Sequence, residues 1–203
     1  ALGTAQTASM LTTQIQSVTT EALAGLEILD LQAMSTDQVR AFTNDQLQAL
    51  STAQVHAFKT DQLAALTTTQ VASLTSLQIA ALSTTQVAAF GTAQIAAMTN
   101  DELAGLNTAD IAGLSSAQLA ALSTDQLTSM DADLIAAIET NDIAGLTTTQ
   151  VEALTTVQFS AMTTEQLGAL TTTQFAAVTS GQLGSLSNTN VTALTTGQMA
   201  ILT

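Results

Sequence analysis

Four residue types are missing from this chain, which has no cysteine, proline, tryptophan or tyrosine. Without cysteine it forms neither a disulfide nor a cysteine-ligated metal site, and thiol chemistry says nothing about its compartment. Basic residues are nearly absent too, because only Arg40 and Lys59 stand against 16 acidic residues, for a formal net charge of -14. Phosphate backbones and anionic membrane surfaces are held by clustered Lys and Arg. We therefore expect no nucleic-acid partner.

Long apolar runs are missing as well. No stretch approaches the roughly 18 apolar residues that cross a bilayer, and the N-terminus lacks the basic start and apolar core of a signal peptide. These absences predict no membrane insertion. The scarcity of Lys and Arg fits a protein exposed to proteases, so we expect an extracellular or cell-surface location.

Catalytic groups are scarce. His56 is the only histidine, so one chain offers neither a triad with a histidine base nor a multi-histidine metal site. Glycine-rich phosphate loops and nucleophile elbows are also missing. We predict that the protein is not an enzyme, with no catalytic, cofactor-binding or metal-binding residues and no cofactor.

Calcium is the one ligand that the acidic residues leave open, because it takes oxygen ligands. No calcium-loop motif is present, and metal binding is not our prediction. The residues that offer such oxygens are Asp131 with Asp133, and Asn100 with Asp101 and Glu102.

What the chain does contain is an eight-residue period. A large apolar side chain occupies every eighth position from Leu2 to Leu202, a series we call the bend column. A second apolar series, the helix column, runs with the same period from Ile15 to Met199, with Thr7 in its first place. Two such columns indicate that one small unit is copied about 25 times, which is typical of a solenoid.

The residues between the columns predict a helix start in every octad. Thr67 and Gln70 have the spacing of a capping box, in which a hydroxyl and a Gln side chain satisfy backbone N–H groups reciprocally. Gly91, Asn107 and Asp131 replace the hydroxyl with other N-cap residues. The same pair recurs at Ser35/Gln38, Thr43/Gln46, Ser51/Gln54, Ser83/Gln86, Ser115/Gln118, Ser123/Gln126, Thr147/Gln150, Thr163/Gln166 and Thr171/Gln174.

Acidic residues follow the cap position, where the positive end of a helix dipole favours them. On this basis we interpret them as partners of the helix dipole. They are Asp37, Asp45, Asp61, Asp101, Glu102, Asp110, Asp125 and Glu165.

Two other architectures compete with short helices. In one continuous helix the apolar stripe would rotate by about 80° per octad, so no straight partner could follow it. A β-solenoid suits Thr and Val, but Gln and Ala favour helix and the columns are spaced three and five apart rather than two. We predict an all-α solenoid of short capped helices, one per octad, forming a single continuous domain over residues 1–203.

One octad cannot fold alone, because its two apolar side chains return less free energy than ordering eight residues costs. The residue before each bend-column position is small almost throughout, which predicts close backbone approach between neighbouring octads. The pattern runs to both ends of the sequence. We therefore expect either a piece of a longer array or head-to-tail joining into an open filament.

Two octads break the pattern. The first, residues 26–31, carries extra apolar side chains, and the second has Leu134 where Gln is usual. Repeat drift explains both, and docking of a partner on the extra apolar surface is the alternative.

The repeat Leu-Thr-Thr-x-Gln-Val-Ala-Ala-Leu, at 66–74, 82–90 and 146–154, resembles the octad arrays of very large secreted or surface proteins of Gram-negative bacteria. Such proteins are often labelled haem utilisation or adhesion proteins. The resemblance implies a secreted or surface repeat protein. The resemblance also implies haem binding, but the sequence offers poor haem ligands, since His56 is the only histidine and the six methionines lie mostly in the apolar columns.

These features favour a structural extracellular protein that forms a fibre, stalk or adhesin shaft by end-to-end assembly into a homo-oligomer or filament. The alternative is a binding module whose regular Thr rows hold ice or a polysaccharide. Those rows are Thr67 with Thr68, Thr147 with Thr148, Thr155 with Thr156, and Thr171 with Thr172.

Overall fold

The computed structural model describes residues 3–202, which fold into an all-α solenoid of short helices in regular repeats and include no β-strand. The chain groups into two compact units, Ala1–Leu106 and Asn107–Thr203. The all-α, short-helix prediction is confirmed, and the single continuous domain stays a prediction.

In the first unit the helices are α1 (Thr4–Ala8), α2 (Thr12–Gln16), α3 (Thr20–Leu23), α4 (Ile28–Ala33), α5 (Thr36–Arg40), α6 (Asn44–Ala49), α7 (Thr52–His56), α8 (Thr60–Ala65), α9 (Thr68–Val71), α10 (Ser76–Ala80), α11 (Thr84–Ala88), α12 (Thr92–Ala97) and α13 (Asn100–Leu103). In the second unit they are α14 (Thr108–Ala112), α15 (Ser116–Ala121), α16 (Thr124–Ser129), α17 (Ala132–Ala136), the 3-10 helix η1 (Thr140–Gly145), α18 (Thr148–Ala153), α19 (Thr156–Ala161), α20 (Thr164–Ala169), α21 (Thr172–Phe175), α22 (Ser180–Gly184), α23 (Asn188–Thr192) and α24 (Thr196–Ile201).

The capping box begins the helices as predicted. At α9 the Gln70 N–H donates to the Thr67 hydroxyl at 3.2 Å, and the Thr67 N–H donates to Gln70 Oε1 at 2.8 Å. All ten predicted pairs make the bond from the backbone N–H to the hydroxyl. Each hydroxyl thus replaces a partner that the first turn of a helix lacks.

The N-cap positions that lack a hydroxyl differ in how they begin the helix. Asp131 is the N-cap residue of α17, as predicted, but its side chain makes no cap hydrogen bond, and the Leu134 N–H donates to the Asp131 carbonyl at 3.0 Å. Gly91 begins α12 by the same backbone bond from Gln94. Asn107 behaves as predicted, since its side chain accepts from the N–H groups of α14.

Each helix ends within six residues, and the chain turns at the bend column. At Leu66 the backbone is extended, with φ -58° and ψ 144°, and its N–H still donates to the Leu63 carbonyl. Between Ile15 and Phe175 the helix-column side chains are at most 1% exposed, and between Met34 and Leu170 the bend-column side chains are at most 5% exposed. The two columns therefore form the core, as their period predicts.

Within each unit, the chain meets itself again after three to four octads. In the first unit α5 packs against α8, three octads later, and Gln38 of α5 reaches the carbonyl of Thr7 in α1, 31 residues earlier. In the second unit α18 packs against α21 in the same way. One turn of the coil therefore holds between three and four octads, a quantity that the repeat sequence did not predict.

Candidate functional site

A buried glutamine in most octads joins one turn of the coil to the turn before it. Gln62 is 1% exposed. Its Oε1 accepts from the Lys59 N–H at 2.8 Å, which caps the start of its own helix. Its Nε2 donates to the carbonyl oxygens of Leu31 at 2.9 Å and Met34 at 2.7 Å, at the end of α4. One side chain thus satisfies the start of one helix and the end of another.

This arrangement, which we call the glutamine ladder, recurs within both units. The amide nitrogen lies 2.6 to 3.0 Å from the bend-column carbonyl oxygen 28 residues earlier. A carbonyl 30 or 31 residues earlier is the second acceptor at each step. The donors are Gln38, Gln46, Gln54, Gln62, Gln70, Gln78, Gln86 and Gln94 in the first unit and Gln150, Gln158, Gln166, Gln174, Gln182 and Gln198 in the second.

The spacing of these glutamines in the sequence predicts the capping box alone, and their second role was not predicted. The signal that could have revealed it is the preference for Gln over Glu. A glutamate would serve a capping box equally well and would suit the helix dipole better. Only the amide has N–H donors for the carbonyls of the neighbouring turn.

Three octads carry Asp in place of the ladder Gln, and two of these residues, Asp30 and Asp142, bond to the neighbouring turn with reversed polarity. Asp30 Oδ1 accepts from the Thr4 hydroxyl at 3.0 Å, and Asp142 Oδ1 accepts from the Ser116 backbone N–H at 2.8 Å. The Ser116 hydroxyl donates to the same oxygen. In both pairs the donor lies 26 residues earlier. A carboxylate has no N–H to donate, so it bonds instead to a residue that does.

Glu102 also occupies a ladder position. It is 3% exposed, its carboxyl accepts from the Thr99 N–H at 2.6 Å, and burial raises its pKa, with a smaller contribution from the charge of Asp101. Glu102 and Asp110 both lie in the first turn of a helix, where we expected partners of the helix dipole, and the structure adds that both side chains are buried. Glu165 is exposed, and its pKa is lowered by its own backbone N–H and by neighbouring Thr hydroxyls.

Glycine at the small position accompanies the loss of the ladder Gln. A Cβ on Gly105 would lie 2.4 Å from the Ser76 carbonyl oxygen, and a Cβ on Gly145 would lie 2.5 Å from the Ser116 Cβ. No side chain fits there, because the backbones of the two turns touch. Four glycines stand directly before a bend-column residue, and all four belong to octads without a ladder Gln: Gly25, Gly105, Gly113 and Gly145.

The candidate calcium ligands do not gather into a site. Glu102 turns inward to the ladder while its neighbour Asp101 is exposed. Across residues 3–202 no three His, Asp or Glu side chains form a group that could hold a metal ion. His56 is exposed, and its Nδ1 lies 2.7 Å from the Ala81 carbonyl oxygen on a neighbouring turn.

Most residues of the Thr rows lie at the surface, whereas the irregular octads are only partly exposed, with Leu31 buried and Leu134 half-buried. Of the predicted rows, Thr156 and Thr172 are exposed, but their methyl groups face Gly181 and Gly197 on the next turn, so they also take part in packing. In octad 26–31 the side chain of Leu29 is 64% exposed. None of the helices in the described part of the chain is long and apolar enough to cross a membrane.

Short capped helices, two buried apolar columns and a repeated tie between turns define a helical repeat protein of the solenoid type. The chain belongs to the ALTTAQ repeat family, which matches it at residues 23–60, 43–76, 74–100, 100–132 and 135–172. The predicted repeat array is thereby confirmed. No curated protein matches the chain.

Proposed function

We propose that the protein is a structural element of the bacterial exterior, a segment of a fibre, stalk or adhesin shaft without enzymatic activity or cofactor. The glutamine ladder is the observation that carries this proposal. Each ladder residue links successive turns through two hydrogen bonds from a side chain that is almost fully buried, as at Gln62 and Gln166. Buried hydrogen bonds are costly to break without replacement, so the ladder would resist separation of the turns.

Two further observations support this proposal, the first its extracellular location and the second its structural role. With Arg40 and Lys59 as the sole basic residues, the chain offers few cleavage sites to proteases that require them. Buried polar side chains such as Gln70 and Gln150 form hydrogen bonds between turns of the coil. This use of buried polar groups favours a structural role over a catalytic one. We propose that copies assemble end to end into a homo-oligomer or filament.

Immunogold electron microscopy of bacteria that produce the protein tests the location and the shape together. Gold particles should decorate fibres or stalks on intact cells, and protease treatment of those cells should remove the label. Lysed cells serve as the control for antibody access. Label that appears only after lysis would overturn the proposal.

A further inference from the structure

Exposed apolar side chains line up along one side of the first unit. The second residue of each helix is exposed throughout the described chain, so exposure at this place belongs to the octad itself. At this place Leu29 of α4 and Leu77 of α10 are 64% and 73% exposed, and α7 carries the exposed Ala53. Since α4 packs against α7 and α7 against α10, the three residues lie on successive turns of the coil. Ile28, which precedes Leu29, is 47% exposed.

The register between turns makes these side chains neighbours. In the second unit, a Cβ on Gly181, the second residue of α22, would lie 3.8 Å from the methyl group of Thr156, the first residue of α19. The same register in the first unit places Ala53 of α7 beside Ile28 of α4. The exposed apolar side chains therefore form one continuous strip across three turns. We call it the apolar stripe, and it comprises Ile28, Leu29, Ala53 and Leu77.

The apolar stripe carries no charge, although the formal net charge of the chain is -14. The stacks of helices on either side of it have exposed acidic residues at the second helix position. Carboxylates of two copies repel each other, so a second copy meets less repulsion at the apolar stripe than at these neighbouring stacks. Apolar side chains that are exposed side by side also favour burial against another surface. The acidic residues are Asp37 and Asp61 in α5 and α8, and Glu21 and Asp45 in α3 and α6.

The order of side chains in the apolar stripe is self-complementary. Leu29 and Leu77 lie one turn before and one turn after Ala53, so a two-fold axis at Ala53 brings Leu29 of each copy against Leu77 of the other. The two coils then run antiparallel. Parallel coils in register would place Asp101, the second residue of α13, against its own copy, whereas antiparallel coils place it against Ala5 of α1. The antiparallel arrangement therefore avoids a contact between like charges.

We infer that the apolar stripe binds the apolar stripe of a second copy of this chain, so that two coils lie side by side and antiparallel. Three helices of each copy take part, which is fewer contacts than the roughly 20 residues a side of a stable interface. The pair is therefore weak and depends on concentration. A two-fold contact closes on itself, so this lateral pairing is separate from the end-to-end assembly proposed above.

Cross-linking of single-cysteine variants tests which residues face each other, because the chain has no cysteine of its own. A short bismaleimide should join two Ala53→Cys chains into a covalent dimer. Leu29→Cys and Leu77→Cys chains should give little dimer alone and much more when mixed, since each residue lies opposite the other. Val157→Cys is the control, because Val157 is 67% exposed at the same helix position outside the apolar stripe.

Two results of the cross-linking would overturn the inference. One is a Val157→Cys chain that forms as much dimer as the Ala53→Cys chain. The other is a Leu29→Cys chain that forms as much dimer alone as in the mixture with Leu77→Cys.

Sedimentation equilibrium of the 203-residue chain measures the strength of the contact. The test variant is Leu29→Gln with Leu77→Gln, and the matched control is Leu11→Gln with Val157→Gln, which removes two exposed apolar side chains outside the apolar stripe. The test variant should associate at least about tenfold more weakly than wild type and control, because the buried apolar area is lost. Circular dichroism at 222 nm verifies that all three chains fold.

A wild-type chain that stays monomeric, or an L29Q/L77Q chain that associates like the control, would also overturn the inference. The proposed function fails separately, when immunogold labels only lysed cells whether or not the purified chains pair.

Discussion

The Nε2 atom of Gln62 lies 2.7 Å from the carbonyl oxygen of Met34, 28 residues earlier in the chain. This bond joins the start of one short helix to the bend that follows another. Because each ladder Gln repeats it, a turn of the coil is held by directional bonds as well as by the apolar columns.

Replacement of Gln62 by Glu should lower the free energy of unfolding by about 2 to 4 kcal/mol at pH 7. The carboxylate keeps the bond from the Lys59 N–H but faces the Leu31 and Met34 carbonyls without a donor. At pH 4 a protonated carboxyl can donate, so the loss should shrink. Urea unfolding followed by circular dichroism at 222 nm measures the loss of stability at pH 7 and at pH 4, with the exposed Gln48→Glu as control. Equal losses for the two variants would show that the ladder bond does not stabilise the fold.

Replacement of Glu102 by Gln should act in the opposite direction. Burial raises the pKa of Glu102 above its ordinary value of 4.5, so its contribution to stability is fully present below that pH and is lost as pH rises through the folded-state value. An amide at this position can donate to the Val71 and Leu74 carbonyls at any pH. We expect E102Q to gain about 1 to 3 kcal/mol at pH 7 and to lose that pH dependence.

Urea unfolding at several pH values checks the Glu102 prediction, with Glu152→Gln as an exposed control of the same charge change. Glu165 has the reverse behaviour, because its lowered pKa gives a contribution that is present at neutral pH and lost in acid. The difference between the E102Q and wild-type profiles isolates Glu102. Parallel profiles would contradict the prediction.

Replacement of Gly145 by Ala should destabilise the second unit by about 1 to 3 kcal/mol, because the new methyl group would overlap Ser116 on the neighbouring turn. Gly184 provides the matched control, since a Cβ there meets nothing within 4 Å and the residue lies in α22. Gly184→Ala should instead stabilise by about 0.5 to 1 kcal/mol, through the unfolded chain. Thermal unfolding of both variants distinguishes the two effects, and a Gly145→Ala chain as stable as wild type would contradict the close approach.

Thr7 lines a cavity of about 30 Å³ together with Met10, Ile15, Val18 and Ala22. Thr7 occupies a helix-column place that larger side chains fill elsewhere in the chain. Its hydroxyl makes one long bond, 3.4 Å to the Gly3 carbonyl. Thr7→Ile should therefore raise stability by about 1 kcal/mol.

Differential scanning calorimetry measures this change against Thr13→Ile, which adds the same groups at an exposed position. A rise in melting temperature for the Thr7 variant alone would confirm that the cavity limits packing. A fall would mean that the hydroxyl outweighs the void.

The local part of the site was predictable. Thr67 and Gln70 are three residues apart, and a capping box depends on that spacing and on nothing distant. The second role of Gln70, its bond to the Phe42 carbonyl 28 residues earlier, depends on how many octads fill one turn. That number follows from small bend angles added over several octads, and no single octad encodes it visibly.

The acidic residues illustrate the same limit. Glu102 and Glu165 both follow a Thr cap, and the sequence suggested one role for both, as partners of the helix dipole. The structure buries Glu102 and exposes Glu165, because they occupy adjacent positions of the first helical turn, the third and the second, which differ in the direction they face.

The repeat sequence by itself determined where each helix begins and which side chains enter the core, because capping and apolar periodicity act within a few residues. It also determined that octads must pack against one another to be stable. The tertiary structure alone decided which octads become neighbours. As a result Gln62 bonds to the Met34 carbonyl in addition to capping its own helix, Asp142 bonds to Ser116, and position 145 requires glycine. Each of these contacts joins residues that only the pitch of the coil brings together.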